Sequence, residues 1–222
     1  MGKLLGLCLA VLVLVVAVPL FKLLADLGFF LPSYTHRFRL DIEIQKAGQR
    51  HTASGVIEIK WQSQSIGPGW SCKTTGEAIP VALGPSQHVI ALLRQFHPRR
   101  TWLCNMALVA YGLSQQQSHE SLEALAQKRG RVVVPSRAIP TFVMFTDENY
   151  PSTVTVVDEN DFNIQLGAAL TSITLELTNA PITKGEVTKI PAVARVVATT
   201  KGKLHWSVPG VYSAYYPDFV SD

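Results

Sequence analysis

Hydrophobic residues form one unbroken run at the start of the chain and short alternating runs after it. Between Leu4 and Phe21 no residue is charged. As a helix this run would be about 27 Å long, close to the hydrocarbon thickness of a bilayer. It has no polar stripe of the kind that an amphipathic helix carries. The pattern predicts a transmembrane signal-anchor and juxtamembrane segment over residues 1–32, with residues 4–24 in contact with lipid.

A cleaved secretory signal is the main alternative for this segment, and a buried core helix is a third. Lys3 supplies the positive charge that precedes the apolar centre of secretory signals. No clear small-residue cleavage site follows, and the apolar run is long for a signal. Cleavage would give a secreted or periplasmic protein, whereas an uncleaved anchor gives a single-pass membrane protein.

After Pro32, apolar and polar residues alternate with a period of two, which is typical of strands with one buried face. One alternation runs from Phe38 to Ile44 and the next from Ile57 to Trp61, with KAGQRH between them. The two alternations predict a β-hairpin. Further strands are predicted in AIPVALG, HVIALLR, RVVVP, PTFVMFTD, STVTVV and LTSITLELTN, and a loop is predicted in SQSIGPGWSCKTTGEA.

Helix signals are fewer than strand signals. Ser118 can cap SHESLEALAQKRG and Gly130 ends it, while Asp158 can cap DENDFNIQLG and Gly167 ends it. TWLCNMALVAYGL fits either a helix or a buried strand. The chain from Pro181 onwards has no regular pattern.

The predicted fold class is α+β, with the N-terminal transmembrane helix followed by a single globular domain over residues 33–222. We expect that domain to be β-rich and mainly antiparallel, with one or two short helices. No internal repeat or domain break interrupts it.

Charge excludes one class of partner and bears on location. The net charge is +4, and basic residues alternate with acidic ones, as in RLDIEIQK. The sequence therefore has no dense basic patch of the kind that predicts nucleic-acid binding. Lys3 favours a cytoplasmic N-terminus, although Lys22, Arg37 and Arg39 weaken that bias. We expect a membrane protein with its body on the extracytoplasmic side.

Two cysteines, Cys72 and Cys104, follow the apolar segment. They form either a disulfide, which suits an oxidising compartment, or two free thiols. A catalytic thiol would need a nearby base such as His97. The apolar surroundings of Cys104 in TWLCNMAL favour a structural role, because a buried thiol is inert unless its pKa is lowered.

The segment from Gly67 to Thr74 approaches the phosphate-binding pattern G-x-x-x-x-G-K-[ST], but Cys72 replaces its second glycine. No buried strand precedes it and no helix follows it, so we interpret it as a surface loop. Trp70 in this loop is a candidate exposed contact.

Acidic residues cluster in DENYP and DENDFN, where carboxylates would suit a cation or acid–base chemistry. The second segment fails the calcium-loop pattern because Phe162 occupies a ligand position, and a helix cap explains Asp158 more simply. No histidine pair has zinc-ligand spacing. We assign no catalytic residue, metal or cofactor. The candidate acids are Asp147, Glu148, Asp158, Glu159 and Asp161.

The hairpin YTHRFRLDIEIQKAGQRHTASGVIEIK, the segment GEAIPVALG with HVIALL, and residues Val132 to Val193 resemble an uncharacterised proteobacterial family of small membrane-anchored proteins of unknown function. The resemblance covers most of residues 34–193, and its motifs are mainly structural. The resemblance implies the fold and a location in a bacterial inner membrane with the body in the periplasm, and it carries over no catalytic residue.

These patterns favour a non-enzymatic, single-pass membrane protein whose body acts in binding or envelope assembly, with a partner that the sequence does not identify. Tethering would raise the effective concentration of the body near that partner. The alternative is a membrane-attached hydrolase using Cys104 or the acidic cluster. A pocket with Cys104 beside His97 or His88 would favour the hydrolase, and a Cys72–Cys104 disulfide would exclude it.

Overall fold

The computed structural model describes residues 18–19, 32–64, 69–93, 103–200, 205–206, 214–215 and 220–221, with side chains described up to residue 195. The predicted transmembrane segment lies outside this part of the chain, except for Val18 and Pro19. Within the described residues, no helix combines the length and apolar character needed to cross a bilayer.

The described chain is β-rich, and every strand pairing in it is antiparallel. The predicted β-rich, antiparallel character is therefore confirmed. The strands are β1 (Ser33–Lys46), β2 (Gln49–Ser63), β3 (Trp70–Glu77), β4 (Ile79–Gly84), β5 (Gln87–Ala91), β6 (Val132–Val133), β7 (Phe142–Phe145), β8 (Val154–Val157), β9 (Ala168–Leu177), β10 (His205–Trp206), β11 (Ala214–Tyr215) and β12 (Val220–Ser221). Six of them form a large sheet in the order β12-β3-β2-β1-β9-β6, and four form a small sheet in the order β4-β5-β7-β8, while β10 pairs with β11.

The helices are short. They are α1 (Leu103–Ala110), α2 (His119–Ala126), α3 (Phe162–Leu166) and α4 (Pro191–Thr200). Ser118 caps α2 and Gly167 ends α3 with φ +59°, as the sequence predicts. The ambiguous segment TWLCNMALVAYGL contains α1.

The β1–β2 hairpin is the predicted one. Ala47 and Gly48 both have positive φ, at 49° and 78°, as a tight two-residue turn of this kind requires. The alternating apolar side chains of both strands face inward, and Phe38, Ile59 and Trp61 are fully buried. The period-two pattern therefore fixes the register, because a slip of one residue would expose this face.

The small sheet is buried on both faces. Its Val81 and Phe142 belong to the same core as the large sheet, and β2 approaches β4 so closely that a Cβ on Gly55 would lie 2.6 Å from Cγ1 of Ile79. On its other face, strand residues such as Ile90 pack with apolar residues of α4 and the turn before it.

A buried carboxylate joins β3 to the C-terminal layer. Glu77 is 7% exposed, and its Oε1 accepts the N–H of Gly185 at 2.6 Å. Its Oε2 accepts the N–H groups of Glu186 at 2.9 Å and Val187 at 3.5 Å. Glu77 therefore caps the turn that leads into α4.

Two predictions about local structure are wrong. Residues 70–77 of the predicted loop form β3, which pairs with β2 from Ser63↔Trp70 to Glu58↔Thr75. Their composition hides this strand, because only Trp70 and Cys72 among its eight residues are apolar, too few to show an alternation. The irregular region predicted after Pro181 contains α4, whose Ala192 and Val193 are buried.

A cleft at the open edge of β1

A cleft of about 650 Å³ opens where the start of β1 meets the end of α2. Its lining is mostly polar, with one carboxylate and two guanidinium groups. The lining residues are Thr35, His36, Arg37, Glu58, Ala126, Arg129, Leu177, Thr178 and Asn179.

The cleft exists because β1 is longer than β9. β1 pairs with β2 from Ser33 onwards, but its register with β9 begins only at Phe38, opposite Leu177. The N–H of Thr178 donates to the carbonyl of Arg37 at 3.0 Å and ends the ladder. The hydroxyl of Thr178 then accepts the N–H of Ala180 at 3.1 Å, which turns the chain out of the sheet.

The open edge presents backbone hydrogen-bonding groups. In an antiparallel strand, alternate residues direct their N–H and C=O groups to the same side. Arg37 uses its carbonyl on the β9 side, so Thr35 directs its N–H and C=O groups to that side as well. No residue of β9 stands opposite Thr35 in the register.

The two arginines of the cleft differ in their partners. Arg37 donates from Nε to Oε2 of Glu58 at 2.8 Å and forms an ion pair with it. Arg129 is exposed, and its Nη1 donates to the carbonyls of Ala126 at 2.8 Å and Lys128 at 2.7 Å. Within the described residues, no carboxylate lies within ion-pair distance of Arg129. Its remaining N–H groups can therefore take an anionic group.

His36 forms a neutral part of the cleft wall. Its ring lies 5.7 Å from that of Trp61 and 6.3 Å from that of Phe38, measured between centroids. Burial lowers the pKa of His36 below 6.5, and a hydrogen bond with the backbone of Leu122 opposes this shift. Nε2 of His36 and Nε1 of Trp61 are both buried, and neither has a hydrogen-bond partner among the described residues.

We expect the protein to lose stability on mild acidification because of His36. The unfolded chain, with a histidine pKa near 6.5, takes up a proton before the folded protein does. The stability contributed by neutral His36 is present above that pH and is lost as the pH falls towards the lowered folded-state pKa. Melting temperatures of wild type and His36→Phe, measured from about pH 8 to about pH 5, should diverge in slope, with the variant less sensitive to acid. Equal slopes would contradict this role.

Trp70 belongs to an aromatic cluster beside the cleft. It is half-buried, and its ring lies 5.6 Å from that of Tyr34, while the Tyr34 hydroxyl hydrogen-bonds Nδ1 of His119. The predicted exposed contact is thus partly covered by Tyr34, and this packing holds β3, β1 and α2 together.

A disulfide joins Cys72 of β3 to Cys104 of α1, with a Cα–Cα distance of 6.3 Å. Of the two alternatives left by the sequence, the structure contains the bonded pair. Cys104 therefore has no free thiolate to act as a nucleophile. His97, the base that the hydrolase hypothesis pairs with it, lies outside the described residues.

Three of the candidate acids have structural contacts. Oδ1 of Asp147 accepts the N–H of Asn149 at 2.9 Å, and Asp158 caps the turn before α3 by accepting from the N–H of Asn160 at 3.2 Å. Glu148 is buried, and its Oε1 lies 2.7 Å from both the backbone N and Nδ1 of His88.

The described residues among the sequence candidates do not come together as a metal or phosphate site. In the part of the chain that the structure describes, no three His, Cys, Asp or Glu side chains are grouped so that they could hold a metal ion. Lys73 and Thr74 of the near phosphate-binding pattern lie within β3, opposite Lys60 and Ile59 of β2. They do not open a helix, as that pattern requires.

The fold and the cleft together describe an antiparallel β-rich domain with an open strand edge inside a polar cleft. Comparison with protein-family models, curated proteins and solved structures finds no match to the chain.

Proposed function

We propose that the chain is a single-pass membrane protein whose β-rich body binds a partner polypeptide in the cleft at the open edge of β1. Residues 1–32 anchor it in a bacterial inner membrane, and residues 33–222 lie in the periplasm. The observation that carries this proposal is the cleft itself, which combines an unpaired strand edge with the exposed cation of Arg129.

Two features support the location. The Cys72–Cys104 disulfide suits an oxidising compartment, which the periplasm provides. The cleft is lined by Thr35 to Arg37, which follow closely after the apolar segment. A body held there samples partners near the bilayer at a raised effective concentration.

The hydrolase alternative has less support. Its thiol nucleophile is consumed in the disulfide, and Asp158 and Glu148 are engaged in a cap and in a bond to His88. Among the described residues that line the cleft there is no thiol, and Glu58 is the one carboxylate. We therefore propose binding without catalysis.

Photo-crosslinking in cells tests the binding role. We expect the full chain with p-benzoylphenylalanine in place of Thr35 or Asn179, both exposed in the cleft, to give a discrete adduct of higher mass. The matched control carries the same group in place of Ile164, which is 82% exposed on α3. Absence of an adduct from both cleft positions, or the same bands from the control, would contradict the proposal.

A further inference from the structure

We infer that the occupant of the cleft is an extended peptide that adds to β1 as a strand and presents an acidic group to Arg129. This inference rests on the proposed binding role and specifies its chemistry. It states how the polypeptide pairs with the open edge and which charge it carries.

The length of the open edge fits a short peptide. Thr178 occupies the position opposite Arg37, so the open edge runs from Ser33 to His36. That length of strand spans roughly 13 Å at the usual rise per residue. A peptide of about four residues can therefore lie along it as a continuation of β9.

Backbone hydrogen bonds supply the affinity in such strand addition. Thr35 directs its N–H and C=O groups into the cleft, whereas its neighbours His36 and Tyr34 direct theirs towards β2. The donor that a bound strand would use can therefore be removed without breaking the β1–β2 ladder.

Charge defines which peptide fits. Successive side chains of a bound strand alternate between the two faces of the sheet. Arg37 and Glu58 neutralise each other on one face. On the other face lies α2, since the backbone of Leu122 hydrogen-bonds His36 there. Arg129 follows α2, donates to backbone carbonyls and has no ion pair within the described chain. A peptide carboxylate on that face pairs with Arg129, as a side chain or as the chain terminus.

The test uses a random heptapeptide library displayed on phage and panned against the full-length protein in detergent micelles. Enriched sequences are synthesised with a fluorescein label, and their binding is measured by anisotropy. Thr35→Pro, which removes the N–H of the open edge, should weaken binding about tenfold or more. Thr35→Ala keeps that N–H and should bind within about twofold of wild type. Thermal melting of both variants verifies that they are folded.

A second pair of variants tests the charge. Enriched peptides should contain Asp, Glu or a free C-terminal carboxylate at one fixed position. Arg129→Glu should weaken binding about tenfold and remove its dependence on salt, while Arg129→Lys should retain most of it. Replacing the peptide carboxylate with an amide should reproduce the Arg129→Glu loss in wild type and have no further effect in the variant.

The outcomes separate this inference from the broader proposal. If library peptides bind and Thr35→Pro binds as well as Thr35→Ala, strand addition is wrong while a binding role stands. If peptides bind without an acidic position, the assignment of Arg129 is wrong. If no sequence is enriched, strand addition by a short peptide is overturned, and the crosslinks from Thr35 and Asn179 decide separately whether the cleft binds a partner polypeptide.

Discussion

Replacing both Cys72 and Cys104 with alanine should lower the free energy of unfolding by about 3 to 4 kcal/mol, the loss expected when a cross-link across 32 residues of sequence is removed. The disulfide restricts the unfolded chain, so its loss raises the entropy of unfolding. Chemical denaturation of wild type and of the double variant, in detergent and without reductant, measures the difference.

Reductant provides the control for this prediction. It should destabilise the wild type towards the value of the double variant. The double variant should not change, because its one remaining cysteine, Cys8, has no second cysteine in the chain to bond with. Equal stability of oxidised and fully reduced wild type, with the free thiols counted by alkylation, would contradict a stabilising disulfide.

Glu77→Ala should cost about 3 kcal/mol, because it leaves the N–H groups of Gly185, Glu186 and Val187 without their carboxylate acceptor. Glu77→Gln should cost less, because the amide keeps one acceptor oxygen. The turn before α4 should also become more sensitive to protease in Glu77→Ala, as that helix loses its attachment to β3.

Glu186→Ala is the matched control for Glu77. The Glu186 side chain is 49% exposed and pairs with Lys189 on the surface, so its loss should change stability by less than about 1 kcal/mol. The account of Glu77 would be wrong if Glu77→Ala were as mild as this control, or if the alanine and glutamine variants were equally stable.

The sequence predicts the elements whose signals lie within a few neighbouring residues. The alternation from Phe38 to Ile44 needs only a buried face, and the caps at Ser118 and Asp158 need only a few residues of context. These elements appear as expected. β3 was missed because it carries too few apolar residues to show a period, and α4 because it follows a Pro- and Gly-containing stretch.

The site depends on relations between distant segments, which a single sequence does not display. The cleft arises because β9 ends opposite Phe38, a matter of register between strands far apart in the chain. Glu77 contacts Gly185 across 108 positions, and Glu148 contacts His88 across 60. The pattern SHESLEALAQKRG predicts a helix that continues to Gly130, which would include Arg129, yet α2 ends at Ala126 and leaves the arginine at the cleft.

Hydrogen exchange at the open edge of β1 tests the central claim most directly. Mass spectrometry of the full chain in micelles, with and without a saturating library-selected peptide, follows the amides of residues 33–37. Strand addition predicts that the peptide slows exchange of the Thr35 amide in wild type and leaves exchange of the Ser86 amide, in the β4–β5 turn, unaffected. Unchanged exchange at Thr35 under saturating peptide would contradict it.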